Sequence, residues 1–167
     1  MIYSIIFLIK KILKLIIDLI FPKKCIICDK YDCQTEVCTE CWKKLTFISK
    51  PACFICSIPF PFENEKEEIC AQCIVNKPNY DRAISILKYD DASKKIIHKF
   101  KYNDQLHILE YIVNLMITMG KEIFNHLDII SPIPIHKYKL LKRGYNQSAL
   151  IAINIATKKN YLTYHSY

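Results

Sequence analysis

Eight cysteines stand in four Cys-x-x-Cys pairs, Cys25/Cys28, Cys38/Cys41, Cys53/Cys56 and Cys70/Cys73, separated by nine, eleven and thirteen residues. Two cysteines three positions apart can wrap a tight knuckle around one metal ion, and two knuckles close a tetrahedron of sulfurs. Four knuckles therefore make two sites. Zinc suits an all-sulfur tetrahedron and brings no redox chemistry, although iron in a rubredoxin-like site satisfies the same donors. Four thiolates leave no open coordination position, so such ions fold the chain and do not catalyse. Loop lengths allow both sequential pairing of knuckles and cross-bracing, and we expect sequential pairing. Cys33 is left over as a spare thiol.

A second group of reactive side chains lies between residues 132 and 147. Arg143 offers a planar fork of donors, Gly144 permits a turn with positive φ, and Asn146 suits the cap of a following helix whose free N–H groups would face the same place. His136, Lys137, Lys139 and Lys142 add positive or titratable groups. This composition suits an anion and equally describes a solvated basic loop.

The chain has 167 residues, enough for a small metal-stapled module and a modest core. It is half hydrophobic with only two glycines, Gly120 and Gly144, which speaks against a glycine-rich phosphate loop. The net charge of +8 is unevenly spread. Residues 1–24 carry five lysines and one aspartate, residues 25–79 carry six lysines and eight acids, and residues 82–147 carry eleven lysines or arginines against six acids. Two four-thiolate zinc sites would lower the working charge to about +4. Phosphates or nucleic acid are compatible partners. Many paired cysteines without a cleavable signal lead us to expect a cytoplasmic protein.

Residues 1–21 have apolar side chains at helical spacing (Ile5, Ile9, Ile12, Leu13, Ile16, Ile20), with Lys10, Lys14 and Asp18 on another face. This reads as an amphipathic helix ended by Pro22, packing on the protein body or lying at a membrane surface. Beyond Pro78, residues 83–89 read as a strand and Asp90 or Asp91 as the cap of a helix buried through Ile96, Ile97 and Phe100. A longer helix is expected over 104–125 with Leu109, Ile112, Val113, Met116 and Ile123 inward. A short buried strand follows at 128–131, stopped by Pro132 and Pro134, then a loop and a helix over 146–157. This order predicts an α/β fold with an open sheet, ligands binding beyond the carboxyl ends of its strands. The organisation we expect is a helix at 1–21, a cysteine module at 22–78 and an α/β domain at 79–167.

With these residues in place, the sequence resembles the ComF family, competence-associated proteins related to type I phosphoribosyltransferases. The likeness rests on the cysteine module after Phe21-Pro22, the segment LKYDDASKKIIHKFKYND, the strand end SPIPIH and the run Lys142-Arg143-Gly144-Tyr145-Asn146-Gln147. It spans about residues 12–157. The resemblance implies a double zinc ribbon holding two structural zinc ions and a phosphoribosyltransferase-like domain, with a role in handling single-stranded DNA during natural transformation. It places Lys101, His136, Arg143, Gly144, Asn146 and Gln147 at or around a phosphate-facing site. It further implies contact with DNA-uptake proteins.

Family members continue to a strand with paired acids and a Thr-Gly-rich loop that cradles phosphoribosyl diphosphate. Residues 158–167 contain no glycine and no aspartate pair, so we expect a C-terminally truncated member of the family. Two functions follow from the resemblance. One is a DNA-uptake accessory protein, with Tyr89, Phe100, Tyr102, Tyr138 and Tyr145 as stacking or core aromatics. The other is a phosphoribosyltransferase using Mg²⁺ and phosphoribosyl diphosphate, or an inactive remnant of one.

Overall fold

The computed structural model describes residues 7, 9, 12, 23–31, 33, 35–61, 68–102 and 107–163. The helix expected over 1–21 lies outside them except for Phe7, Ile9 and Ile12, which are helical and exposed. No helix among the described residues is long and apolar enough to cross a membrane. The chain divides into two compact units, Met1–Lys44 and Leu45–Tyr167. The second cysteine quartet therefore shares a unit with the helices that follow it.

The two units carry the same small metal-knuckle motif. In the first, a turn over 26–28 brings Asp29 to a φ of 59°, and a short helix α1 (Thr39–Trp42) carries Cys41 inward. In the second, a turn over 54–56 leaves Ser57 at a φ of 61°, and helix α2 (Ala71–Val75) carries Cys73 inward. The backbone bonds correspond one for one. Asp29 N–H donates to Cys25 O, as Ser57 N–H does to Cys53 O, both at 2.9 Å. Ile26 N–H reaches Glu36 O, as Phe54 N–H reaches Glu68 O, again at 2.9 Å. The cysteines are 28 positions apart at the first knuckle (25 and 53) and 32 at the second (38 and 70), so the extra residues fall in the intervening loop.

The remainder of the second unit is mainly helical. Helix α3 (Asp91–Tyr102) starts at a reciprocal cap: Asp90 Oδ1 accepts from Ala92 and Ser93 N–H, and Ser93 Oγ accepts from Asp90 N–H. Its inner face holds Ile96 and Phe100, as the spacing predicts, with Ile97 half-buried. Helix α4 (His107–Met119) buries Ile108 and Val113 and packs on α3. The single helix expected over 104–125 is instead α4 followed by a separate turn, α5 (Lys121–Phe124), with the start of the expected span outside the described residues. Gly120 makes the break. A Cβ there would meet Met116 O at 2.7 Å and the Phe124 ring at 3.0 Å, so only glycine allows the chain to fold back this tightly.

Strand β1 (Ile129–Ile130) pairs in parallel with β2 (Leu162–Thr163), in a register of Ile129 to Leu162 and Ile130 to Thr163. Between them run α6 (Lys137–Arg143) and α7 (Gln147–Lys159), so the connection is a helical crossover. β2 was not expected; its Tyr-Leu-Thr run follows Asn160, which closes α7 in the left-handed conformation. The expected strand at 83–89 is extended but holds only an antiparallel bridge, Leu87 to Phe47, with Ile48 N–H to Ile86 O and Lys88 N–H to Thr46 O both at 2.9 Å. Val113, Phe124 and Ile155 form the core under β1, packed by Leu109, Met116, Ile130, Ile151 and Tyr161.

Candidate functional site

Each compact unit gathers one cysteine quartet, Cys25, Cys28, Cys38 and Cys41 in the first and Cys53, Cys56, Cys70 and Cys73 in the second, with all sulfurs of a set within 4.8 Å of one another. The knuckles thus group sequentially and are not cross-braced. Cys28 and Cys38 Sγ lie 3.8 Å apart, and Cys56 and Cys70 Sγ 3.7 Å apart. A tetrahedron with metal–sulfur bonds of about 2.3 Å has edges of about 3.8 Å, whereas a disulfide needs about 2.05 Å. All nine cysteines are free.

The backbone favours the thiolate at one sulfur of each quartet, Cys25 and Cys53. Cys38 N–H points at Cys25 Sγ at 3.4 Å, and Cys70 N–H at Cys53 Sγ at 3.3 Å. Burial pushes the Cys53 thiol up, but N–H groups of Cys70, Cys56 and Ile55 outweigh it and bring it down to about 6. Cys25 behaves alike, burial being overcome by N–H groups of Cys38, Cys28 and Ile27, and also falls to about 6. Burial and neighbouring thiols push Cys73 up to about 12. A divalent ion displaces such protons and satisfies all four donors together. The two quartets fit two structural zinc ions, whose chemistry is to cross-link each knuckle pair. Ile55 and Phe60 pack against the second set and shield it.

The basic group expected in a loop sits largely on a helix. Residues 137–143 form α6, because Lys, Leu and Arg are good helix formers and both ends are closed. His136 Nδ1 accepts from Tyr138 N–H at 3.3 Å and so caps the start of the helix. Gly144 ends the helix at a φ of 76°, with its N–H on Leu140 O at 2.8 Å. None of the α6 residues is buried.

The last residue of α6 and those that follow it grip the end of α3. Arg143 Nη2 donates to Tyr102 Oη at 3.1 Å, and its Nη1 to Gln147 Oε1 at 3.4 Å. Tyr145 Oη donates to Phe100 O at 2.7 Å, and Gln147 Nε2 to Lys101 O at 3.5 Å. Asn146 caps α7, accepting from Ser148 and Ala149 N–H at 3.0 and 3.4 Å, while its Nδ2 donates to Ile133 O at 3.1 Å. Ser148 Oγ in turn accepts from Ile133 N–H at 2.9 Å. Arg143, Gly144, Asn146 and Gln147 are therefore brought together with the Lys101 backbone, and His136 stands at the far end of α6. Sequence reasoning missed Tyr102 and Tyr145 as polar partners of this cluster. Their hydroxyls were the available signal, passed over in favour of their rings.

The double zinc ribbon domain family matches residues 16–74. Competence protein F of Haemophilus influenzae is 23% identical over 139 residues, covering 79% of this chain and 58% of that protein. Competence protein ComFC of Bacillus subtilis is 25% identical over 124 residues, covering 70% of this chain and 50% of that protein. The chain thus spans a little over half the length of these curated relatives. No solved structure matches it significantly. A double zinc ribbon with both sulfur quartets formed, together with the likeness to two competence proteins over more than two thirds of the chain, supports its assignment to the ComF family.

Proposed function

We propose that the chain acts in competence, meeting single-stranded DNA through the basic surface at the end of α3 and along α6. The observation that carries this reading is the likeness to two competence proteins over more than two thirds of the chain. Charge supports it. Lys99 and Lys101 lie in the last turn of α3, Lys142 and Arg143 in the last turn of α6, and neither turn holds an acid. In this reading Lys101, His136 and Arg143 line the phosphate-facing surface, and Gly144, Asn146 and Gln147 hold its backbone in place. The two zinc ions are scaffold. The parallel pair β1 and β2 with its helical crossover is part of a phosphoribosyltransferase-like sheet, and the protein works in the cytoplasm beside DNA-uptake proteins.

A gel-shift titration of single-stranded DNA over a salt series tests the reading. Log affinity should fall linearly with log salt, with a slope near −0.7 per neutralised phosphate and so about −3 for four contacts. Absent or salt-indifferent binding overturns it. In the phosphoribosyl-transfer alternative Arg143 and the N-terminus of α7 would clamp the departing diphosphate, but the Ser148 and Ala149 N–H groups at that N-terminus already donate to Asn146 Oδ1.

A further inference from the structure

Tyr102 closes α3 with its side chain about half exposed, yet it is braced from two directions. The Arg143 guanidinium donates to its hydroxyl and lies over the ring, with the guanidinium carbon 5.1 Å from the centroid. One turn earlier in α3, the His98 ring sits 5.6 Å away, centroid to centroid, at 50°. The helix end beneath is fixed by buried Phe100, whose ring lies 6.4 Å from that of Tyr145.

An exposed tyrosine ordinarily gives up rotamer freedom when something stacks on it. A ring already tethered through its hydroxyl gives up less, so contact with it is stronger. The surroundings favour a polyanion: from Lys94 to its end α3 has four lysines, one histidine and no acid, and Lys142 and Arg143 follow on α6. Tyr89 and Tyr138 are more exposed, at 67% and 72%, but among the described residues no ring or guanidinium braces either.

We infer that Tyr102, flanked by His98 and Arg143, is a stacking platform for an unpaired nucleobase, with the neighbouring lysines taking the adjoining phosphates. The inference rests on the single-stranded DNA reading and names the group that touches a base. An unpaired base is required because a duplex hides its base faces in the stack. Sequence preference should be weak, since every base offers a π-face.

The test uses the zinc-loaded full chain and fluorescence anisotropy with two labelled strands of equal length, one of deoxyadenosine and one abasic throughout. The wild type should bind the base-bearing strand about tenfold or more tighter, in keeping with stacking on one aromatic. Y102A should abolish that advantage while keeping the abasic affinity, Y102F, which keeps the ring but loses the hydroxyl tether, should retain only part of it, and H98A should reduce it. Equal wild-type affinity for both strands overturns the platform and leaves the DNA reading standing. Binding to neither strand overturns both. A Y102A loss shared equally by the two strands, or an unchanged advantage in Y102A, also overturns the platform, the first by assigning Tyr102 a purely structural role.

Discussion

The Tyr145 hydroxyl and the Gln147 amide meet the Phe100 and Lys101 carbonyls, two of the last carbonyls of α3 that have no partner inside the helix. Replacing Tyr145 with phenylalanine keeps the ring beside Phe100 and removes only the bond. Urea unfolding should show a loss of about 1 kcal/mol. The two glycines separate two kinds of constraint. At Gly144 a Cβ meets nothing within 4 Å but the φ is 76°, so G144A should cost about 1 kcal/mol through backbone strain alone. At Gly120 the φ is ordinary but a Cβ would strike Met116 O. The conflict there is with backbone, which cannot swing aside, so G120A should lower the urea midpoint more than G144A. Both glycines were visible in the sequence. Only Gly144 could be assigned a role there, because its neighbours Arg143 and Asn146 mark a turn, whereas close approach at Gly120 depends on Phe124 folding back.

At the scale of elements, the caps govern what forms. Asp90 holds the N-terminus of α3, and its carboxyl is kept below the ordinary range chiefly by the Ser93 N–H. A carboxylate depressed in the folded state stabilises above its unfolded value of about 3.9, and that stability is lost as pH falls through the lower folded value. Asparagine caps about as well and does not titrate. Urea midpoints measured from pH 5 downward should therefore fall less steeply below about pH 4 in D90N than in the wild type. Helices α3 and α7 were legible because a polar cap precedes an apolar period, with Asp90 before Ile96 and Phe100, and Asn146 before Ile151 and Ile155. Helix α6 was not: its leucines face no core, so no apolar stripe marks it, and its start is set by an imidazole acting as cap. β2 is two residues long, too short for alternation to register.

At the scale of the whole molecule, the cysteine spacing gave two four-sulfur sites but left sequential grouping open against cross-bracing, which only the folded chain decides, and it did not mark where the compact units part. Sequence composition shifts near residue 78, while the compact units part between Lys44 and Leu45. The reason lies in bonds that no periodicity reveals. Ala83 N–H donates to Ile55 O, and Ser57 Oγ to Ala83 O, both at 2.7 Å, tying the second knuckle to the chain leading into α3. C25S and C53S should each lower zinc content from two ions toward one by elemental analysis. C53S should reduce the thermal midpoint followed by helical circular dichroism, and C25S should leave it closer to wild type, because among the described residues the long helices α3, α4 and α7 belong to the unit of Cys53.

The repeated knuckle, one copy in each unit, also bears on how the chain is loaded. Because the two quartets share no ligand, zinc should enter by two separate steps, which native mass spectrometry of a zinc titration checks. Between the metal-free and fully loaded chains there is then a population with one ion and one finished half. When zinc is scarce, the relative affinity of the two quartets decides which half is finished first.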